Sequence, residues 1–236
     1  MSGQKASEDR NWPTWADVPL LAIRQTGVRT QHQLFRSGKQ PKILKESFDY
    51  SAWVRSLALI CCTHVPALYH IDPTRIIFGI TRTRQRTAHG IMARLIPLRG
   101  EEGSPYLWKK EQRYRYPTWE IGKVRILYLL EVYLPRFQNM PALQQLATVV
   151  HELYHVGPAF DGDFRRFGKK GHHAGNVDSF HQTMVQWAHQ YLNDLPEISN
   201  DPHLNQDWKA LIKEFPQVVG YHPGQPRLVP DTPPLE

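Results

Sequence analysis

The hydrophobic and polar positions change rhythm several times along the chain. From Ser47, the residues Phe48, Trp53, Val54, Leu57, Ala58 and Ile60 recur at helical spacing, which predicts a helix over 47–63 with Ser47 as its N-cap. Two β-rich runs follow, 75–84 and 90–98, and the short polar stretch between them predicts an antiparallel hairpin. A third run, 124–134, is apolar almost throughout and reads as the central strand of a sheet, ended by Pro135. Behind Pro141, whose missing amide suits a first helical position, Leu143, Leu146, Ala147, Val150 and Tyr154 recur at three and four. They predict a helix over 141–156 that stops at Gly157-Pro158. Val177, Phe180, Met184, Trp187, Ala188 and Tyr191 predict another over 176–193, with a smaller helix near 204–215.

Three stretches lack such rhythm. Residues 1–44 are polar and broken by Pro and Gly, and read as a leader with a short anchored piece near Trp12, Trp15 and Leu20 to Ile23. Residues 99–120, rich in charge and aromatics but interrupted by Gly and Pro, read as a long loop. The segment 216–236 holds six prolines, which argues against a continuous helix or a central strand there. The expected organisation is therefore a leader (1–44), one domain (45–215) and a Pro-rich tail (216–236).

Composition narrows the class of protein. With 41% hydrophobic and 22% charged residues among 236, the chain has globular composition. The net charge of +7 leaves acidic partners such as nucleic acid open without requiring them. The only cysteines, Cys61 and Cys62, are adjacent and form no disulfide framework, which fits a reducing compartment. No apolar run reaches the roughly 18 residues of a membrane span, and the first ten residues lack the apolar core of a secretory signal. A cytoplasmic protein is the expectation.

Candidate chemistry lies in the 141–156 helix. His151-Glu152-Leu153-Tyr154-His155 has the form H-E-x-x-H, expected by chance about 0.03 times in a chain of this composition. Residues four apart share a helical face, so His151 and His155 can offer imidazole nitrogens to one ion, with Glu152 beside them as a general base. Zinc would lower the pKa of a coordinated water to about 7 and polarise a peptide carbonyl, which is hydrolytic chemistry. A catalytic zinc takes a third protein ligand. The candidates are Asp161, Asp163, His172, His173, Asp178 and His181.

These residues carry a resemblance. The run 127–137, the H-E-x-x-H motif, the segment Phe160-Asp-Gly-Asp-Phe-Arg-Arg-Phe167 and the Gly/His loop after it resemble a metallopeptidase family of bacteria, archaea and phages, zincin-like and distantly similar to SprT-like proteins. The resemblance covers about 47–195. It implies an α+β, zincin-like fold: a small twisted, mostly antiparallel sheet packed with the active-site helix and flanking helices. It also implies a soluble peptidase with one zinc per chain and a peptide or protein substrate bound along an edge strand. In the family's pattern a histidine follows the Asp-Gly-Asp loop and precedes an aromatic on the next helix. His173, with Phe180, matches it best, and the doubled His172-His173 is a departure from the pattern. The implied set is His151, His155 and His173 on zinc, with Glu152 catalytic. Asp161 and Asp163 are expected to brace the loop against Arg165 and Arg166, and Tyr154 to pack in the core.

A second reading rests on the basic stretches Arg82-Thr-Arg-Gln-Arg86 and Lys109-Lys-Glu-Gln-Arg-Tyr-Arg-Tyr116. Interleaved cations and aromatics can track phosphates and stack bases, so a zincin-fold protein that binds nucleic acid without turnover is the alternative. Glu152 favours the enzyme, because a structural zinc site needs no base and prefers four protein ligands.

Overall fold

In the computed structural model, which describes residues 20–24, 45–83, 90–121, 123–167 and 177–231, the first described elements are β1 (Leu20–Arg24), β2 (Ser47–Asp49) and helix α1 (Tyr50–His64). Then come β3 (Ile76–Arg82), β4 (Ala93–Pro97), β5 (Tyr106–Lys109), β6 (Gln112–Arg115), β7 (Trp119–Ile121), β8 (Val124–Ile126) and β9 (Tyr128–Leu134). Helices α2 (Ala142–Tyr154), α3 (Val177–Tyr191), α4 (Pro196–Ser199) and α5 (Trp208–Glu214) precede β10 (Gln217–Tyr221) and β11 (Val229–Pro230). The fold is α+β, and the described strands form four small sheets.

Of the run 124–134, expected as one central strand, Tyr128–Leu134 is central, whereas Val124–Ile126 pairs with β7 in a separate sheet. β9 lies between β3 and β4, parallel to β3 from Ile76↔Tyr128 to Arg82↔Leu134 and antiparallel to β4 from Ala93↔Val132 to Pro97↔Tyr128. The expected hairpin of 75–84 with 90–98 is therefore corrected: the two runs flank β9 instead of pairing. Their own residues suit either arrangement, but β9 is so apolar that only a central place covers both its faces and both its edges. On one face Ile76, Phe78, Ile80, Ala93, Leu95, Leu130 and Val132 join the main core under α1 and α2. On the other, Ile77 and Leu129 meet Leu98, Ile126 and Tyr221 in a smaller core. Most strand pairs in the molecule are antiparallel, yet the sheet beneath α2 is mixed.

Four further expectations are corrected. Ser47 lies in β2, and Asp49 caps α1 instead, its Oδ1 accepting from the Ala52 amide at 2.9 Å. Pro141 is the N-cap of α2, one position before the first helical residue. Residues 99–120 are not a loop: β5 and β6 form a hairpin that β11 extends, and β7 pairs with β8. No core lies under that hairpin, so its strands carry none of the apolar alternation that would mark them. The Pro-rich segment contains a central strand after all, because β10, buried throughout, lies between β1 and β2. Pro216 and Pro223 bracket a proline-free stretch long enough for one strand, so no ladder amide is lost.

A buried polar network fastens the helices. Tyr50 donates to Gln138 Oε1 at 2.6 Å, while Gln138 Nε2 donates to the carbonyls of His203 and Gln206 at 2.8 and 2.7 Å. Gln145, fully buried on α2, donates to Met140 O at 2.8 Å. These donors fix how α2 enters the core, although Gln145 Oε1 is buried with no hydrogen-bond partner among the described residues. Among the described residues, no helix is long and apolar enough to cross a membrane.

Candidate metal centre

Helix α2 buries Leu146, Ala147, Val149, Val150 and Leu153, which fixes its rotation and leaves His151 and His155 on one side. Their Nε2 atoms are 3.0 Å apart. Phe180 of α3 orients both rings, edge-on to His151 at 4.9 Å and stacked with His155 at 5.7 Å. Two imidazole nitrogens this close either share a proton or face one cation. Tetrahedral zinc with nitrogen ligands at about 2.0–2.1 Å sets them roughly 3.3 Å apart, so the pair fits a metal with a small adjustment.

Glu152 lies one residue along the helix and is almost wholly buried. The Leu95 amide on β4 donates to its Oε2 at 2.7 Å. Burial pushes the carboxyl up to about 7, the Leu95 amide pulling weakly the other way. A carboxyl near neutrality is matched to proton transfer at the pH of a cell.

The direction of the Leu95 amide identifies a sheet edge. On β4, Met92 O accepts from Tyr133 N at 2.8 Å and Leu98 N donates to Leu127 O at 2.9 Å, so even-numbered residues face β9. Odd-numbered residues face away. Among the described residues no strand pairs with that outer edge, and the Leu95 carbonyl and the Ala93 main chain point into it beside Glu152.

After α2 the backbone turns sharply and is tied down. Arg165 N donates to His155 O at 2.7 Å, Gly157 N donates to Asp163 O at 3.1 Å, and Val156 bridges to Phe164. Asp163 braces this loop as expected for one of the two arginines, accepting from Arg166 Nη2 at 2.9 Å and from Phe164 N at 2.8 Å. Arg165 does otherwise, donating to Tyr154 O at 2.7 Å and lying 4.2 Å over the Tyr154 ring. Asp161 accepts from Asp163 N at 3.1 Å. Tyr154 packs against the core with Phe167, Phe180 and Trp187, the structural role expected of it.

The structure brings His151, Glu152 and His155 together. His172, His173 and the side chain of Asp178 lie outside the described residues. His181 sits beside the pair, its ring 6.5 Å from that of His151, with Nε2 3.1 Å from Gln144 Oε1. Among the described residues, no three His, Cys, Asp or Glu side chains converge as a metal set. Periodicity did not disclose the Leu95 amide, which depends on strand order. Phe180 was visible as a helix-face aromatic and as the aromatic of the family's pattern, not as the wall against both imidazoles.

The described residues of the basic stretches belong to different sheets. Arg82 ends β3, and Arg84 and Arg86 lie outside the described residues. Lys109 to Arg115 belong to the β5–β6 hairpin, where the register Tyr106↔Arg115 and Trp108↔Arg113 puts two aromatics and two arginines on one face. Arg113 caps the Tyr106 ring at 4.7 Å and pairs with Asp231 at 2.7 Å, whereas Trp108 is 64% exposed.

Residues 47–215 match the model of a family described as putative phage metallopeptidase. No curated protein and no solved structure matches the chain.

Proposed function

From the premise that the chain belongs to the putative phage metallopeptidase family, we propose that it is a zincin-like zinc peptidase with Glu152 as its general base. His151 and His155 would hold the ion with His173 as third ligand, and zinc, when bound, supplies a Lewis acid that polarises a carbonyl and acidifies water. The chain's own residues do the rest. Glu152 takes a proton on the carboxylate oxygen that burial has brought near neutral affinity, then returns it to the leaving amine. The outer edge of β4 offers the Ala93 main chain and the Leu95 carbonyl to an extended peptide, which would join the sheet as a further strand beside Glu152. Phe180 keeps both imidazoles in one orientation and water away from their flank.

The observation that carries this reading is the meeting, at one place, of the paired imidazoles, a buried carboxyl near 7 and a strand edge that no described strand covers. The experiment is cleavage of a peptide library by zinc-loaded protein and by Glu152→Gln. We expect zinc to stay bound in the variant while hydrolysis falls by about 10²–10⁴. Equal rates would remove Glu152 from the mechanism. A second reading, binding of single-stranded nucleic acid, rests on the exposed Trp108 sharing a hairpin face with Tyr106, Arg113 and Arg115.

A further inference from the structure

Arg99 is only 6% exposed, yet among the described residues no carboxylate lies within 4.0 Å of it. Its Nη1 donates to the carbonyl of Leu98 at 2.8 Å, leaving most of five N–H donors without a protein acceptor among those residues. A guanidinium stays charged at any pH a protein meets; no Arg99 nitrogen is both sealed from solvent and without a partner, so its remaining donors face a narrow solvent-reached cleft where an oxyanion can complete them.

The neighbours are cations as well. Arg75, ahead of β3, and Arg125, within β8, are close enough for their charges to act on Arg99. Burial first, then these two cations, pulls the Arg99 guanidinium below its usual range. Arg75 Nε donates to Arg125 O at 3.2 Å, so two of the three arginines are in direct contact. Glu120 reaches only Arg125, at 3.9 Å with both side chains about half exposed, which neutralises little. Phe160, at a left-handed φ of 50°, stacks on Tyr128 at 5.6 Å and lies under the Arg75 guanidinium at 5.7 Å, forming an apolar wall. Gly162, at φ 100°, lets the same loop close onto Arg99: a Cβ there would come within 2.6 Å of Arg99 Cγ.

The position relates this cluster to the strand edge. Arg99 continues the odd-numbered, outward-facing positions of β4, and its amide donates to Gly162 O at 3.1 Å, so the loop closes the edge there. Four extended residues, about 13 Å, separate it from Leu95 beside Glu152.

We infer that Arg99, with Arg75 and Arg125, is a receptor for an oxyanion of the substrate, a carboxylate or a phosphate, where the outer edge of β4 ends. A peptide lying along β4 places an acidic side chain or phosphorylated residue there, about four residues from the bond to be cut. The inference rests on the peptidase reading for the substrate's path. The oxyanion chemistry follows from the arginines themselves.

The test uses full-length, zinc-loaded Glu152→Gln, which holds peptide without turning it over. Fluorescent decapeptides carrying one Glu, one phosphoserine or one Gln at each position in turn are titrated by anisotropy. In parallel, inorganic phosphate and acetate are titrated while the Arg99 Nε–Hε resonance is followed. Peptides with an acid at the matching position should bind about tenfold or more tighter than their Gln counterparts, as charge-assisted pairs require. Arg99→Gln should remove that preference, and Arg125→Gln, at a more exposed site less able to disturb folding, should weaken it by about threefold. The ratio of Glu to phosphoserine affinity separates the two oxyanions. Acidic and neutral peptides binding alike, or a preference unchanged in both variants, overturns the inference. A failure of the peptidase reading shows elsewhere: protein with Glu152 restored cuts no library peptide, while the acidic preference in binding is still read.

Discussion

Replacing Arg94 by Met is the sharpest probe of how the edge strand is held. Glu131 on β9 is 1% exposed, and its carboxylate accepts from Arg94 Nη2 at 2.6 Å, Arg94 Nε at 2.8 Å and, less closely, the Thr81 hydroxyl at 3.3 Å. These two residues face each other across the β4–β9 ladder on the side of the sheet away from α2. Removing one partner of a buried pair costs about 3–5 kcal/mol, because the other charge stays buried without it. Here the Arg94 side chain is 30% exposed, so water already shares the pair and part of that penalty is relieved. We expect about 2–3 kcal/mol, or roughly 5–10 °C in the unfolding midpoint of a chain this long. Arg94→Met/Glu131→Met should regain most of the loss, since an apolar replacement of both partners leaves no charge buried and unpaired, only the Thr81 hydroxyl losing a long contact. Urea unfolding of the four proteins at one zinc concentration closes the double-mutant cycle. An Arg94→Met protein within about 0.5 kcal/mol of the parent, or additive effects in the cycle, would refute the claim that this pair fastens β4 to β9.

Three other outcomes are expected. Metal analysis should find about one zinc per chain, and His173→Ala should lose it far more readily than His172→Ala; equal retention by the two would displace His173 as third ligand. Phe180→Ala should destabilise the fold by about 3–5 kcal/mol as a large-to-small core change, and in molecules still folded it should weaken zinc affinity, because the aromatic contact on both imidazoles is gone. Affinity for single-stranded DNA at about 150 mM salt should be weak and indifferent to which surface cation is removed, as for generic attraction to a +7 protein. Submicromolar binding abolished by Trp108→Ala, with zinc content intact, would instead establish the hairpin as a stacking platform.

Much of the site was legible in the sequence because its logic is local. Two histidines four apart on a helix must share a side, and the apolar positions around them tell which way the helix turns, so His151 and His155 were paired before any fold was known. Within the run 124–134 the central strand Tyr128–Leu134 was legible for the same kind of reason, since a segment apolar on both faces has nowhere else to go, but the break that gives Val124–Ile126 to another sheet was not. What depends on partners far apart in the chain was decided by the tertiary structure. Alternation along 75–84 and 90–98 is satisfied equally by pairing with each other or with β9, and only packing on two opposite faces chose the latter. The strand at Gln217–Tyr221 was hidden by the prolines around it, because composition averages over a window longer than the strand. The setting of Glu152 depends on the Leu95 amide, 57 positions away, and the isolation of Arg99 on segments near residues 75, 125 and 162. Sequence periodicity records which face of an element is buried; it carries no record of which other element buries it, and in this protein the edge of β4 that no described strand pairs with and the buried arginine at its end both come from that second choice.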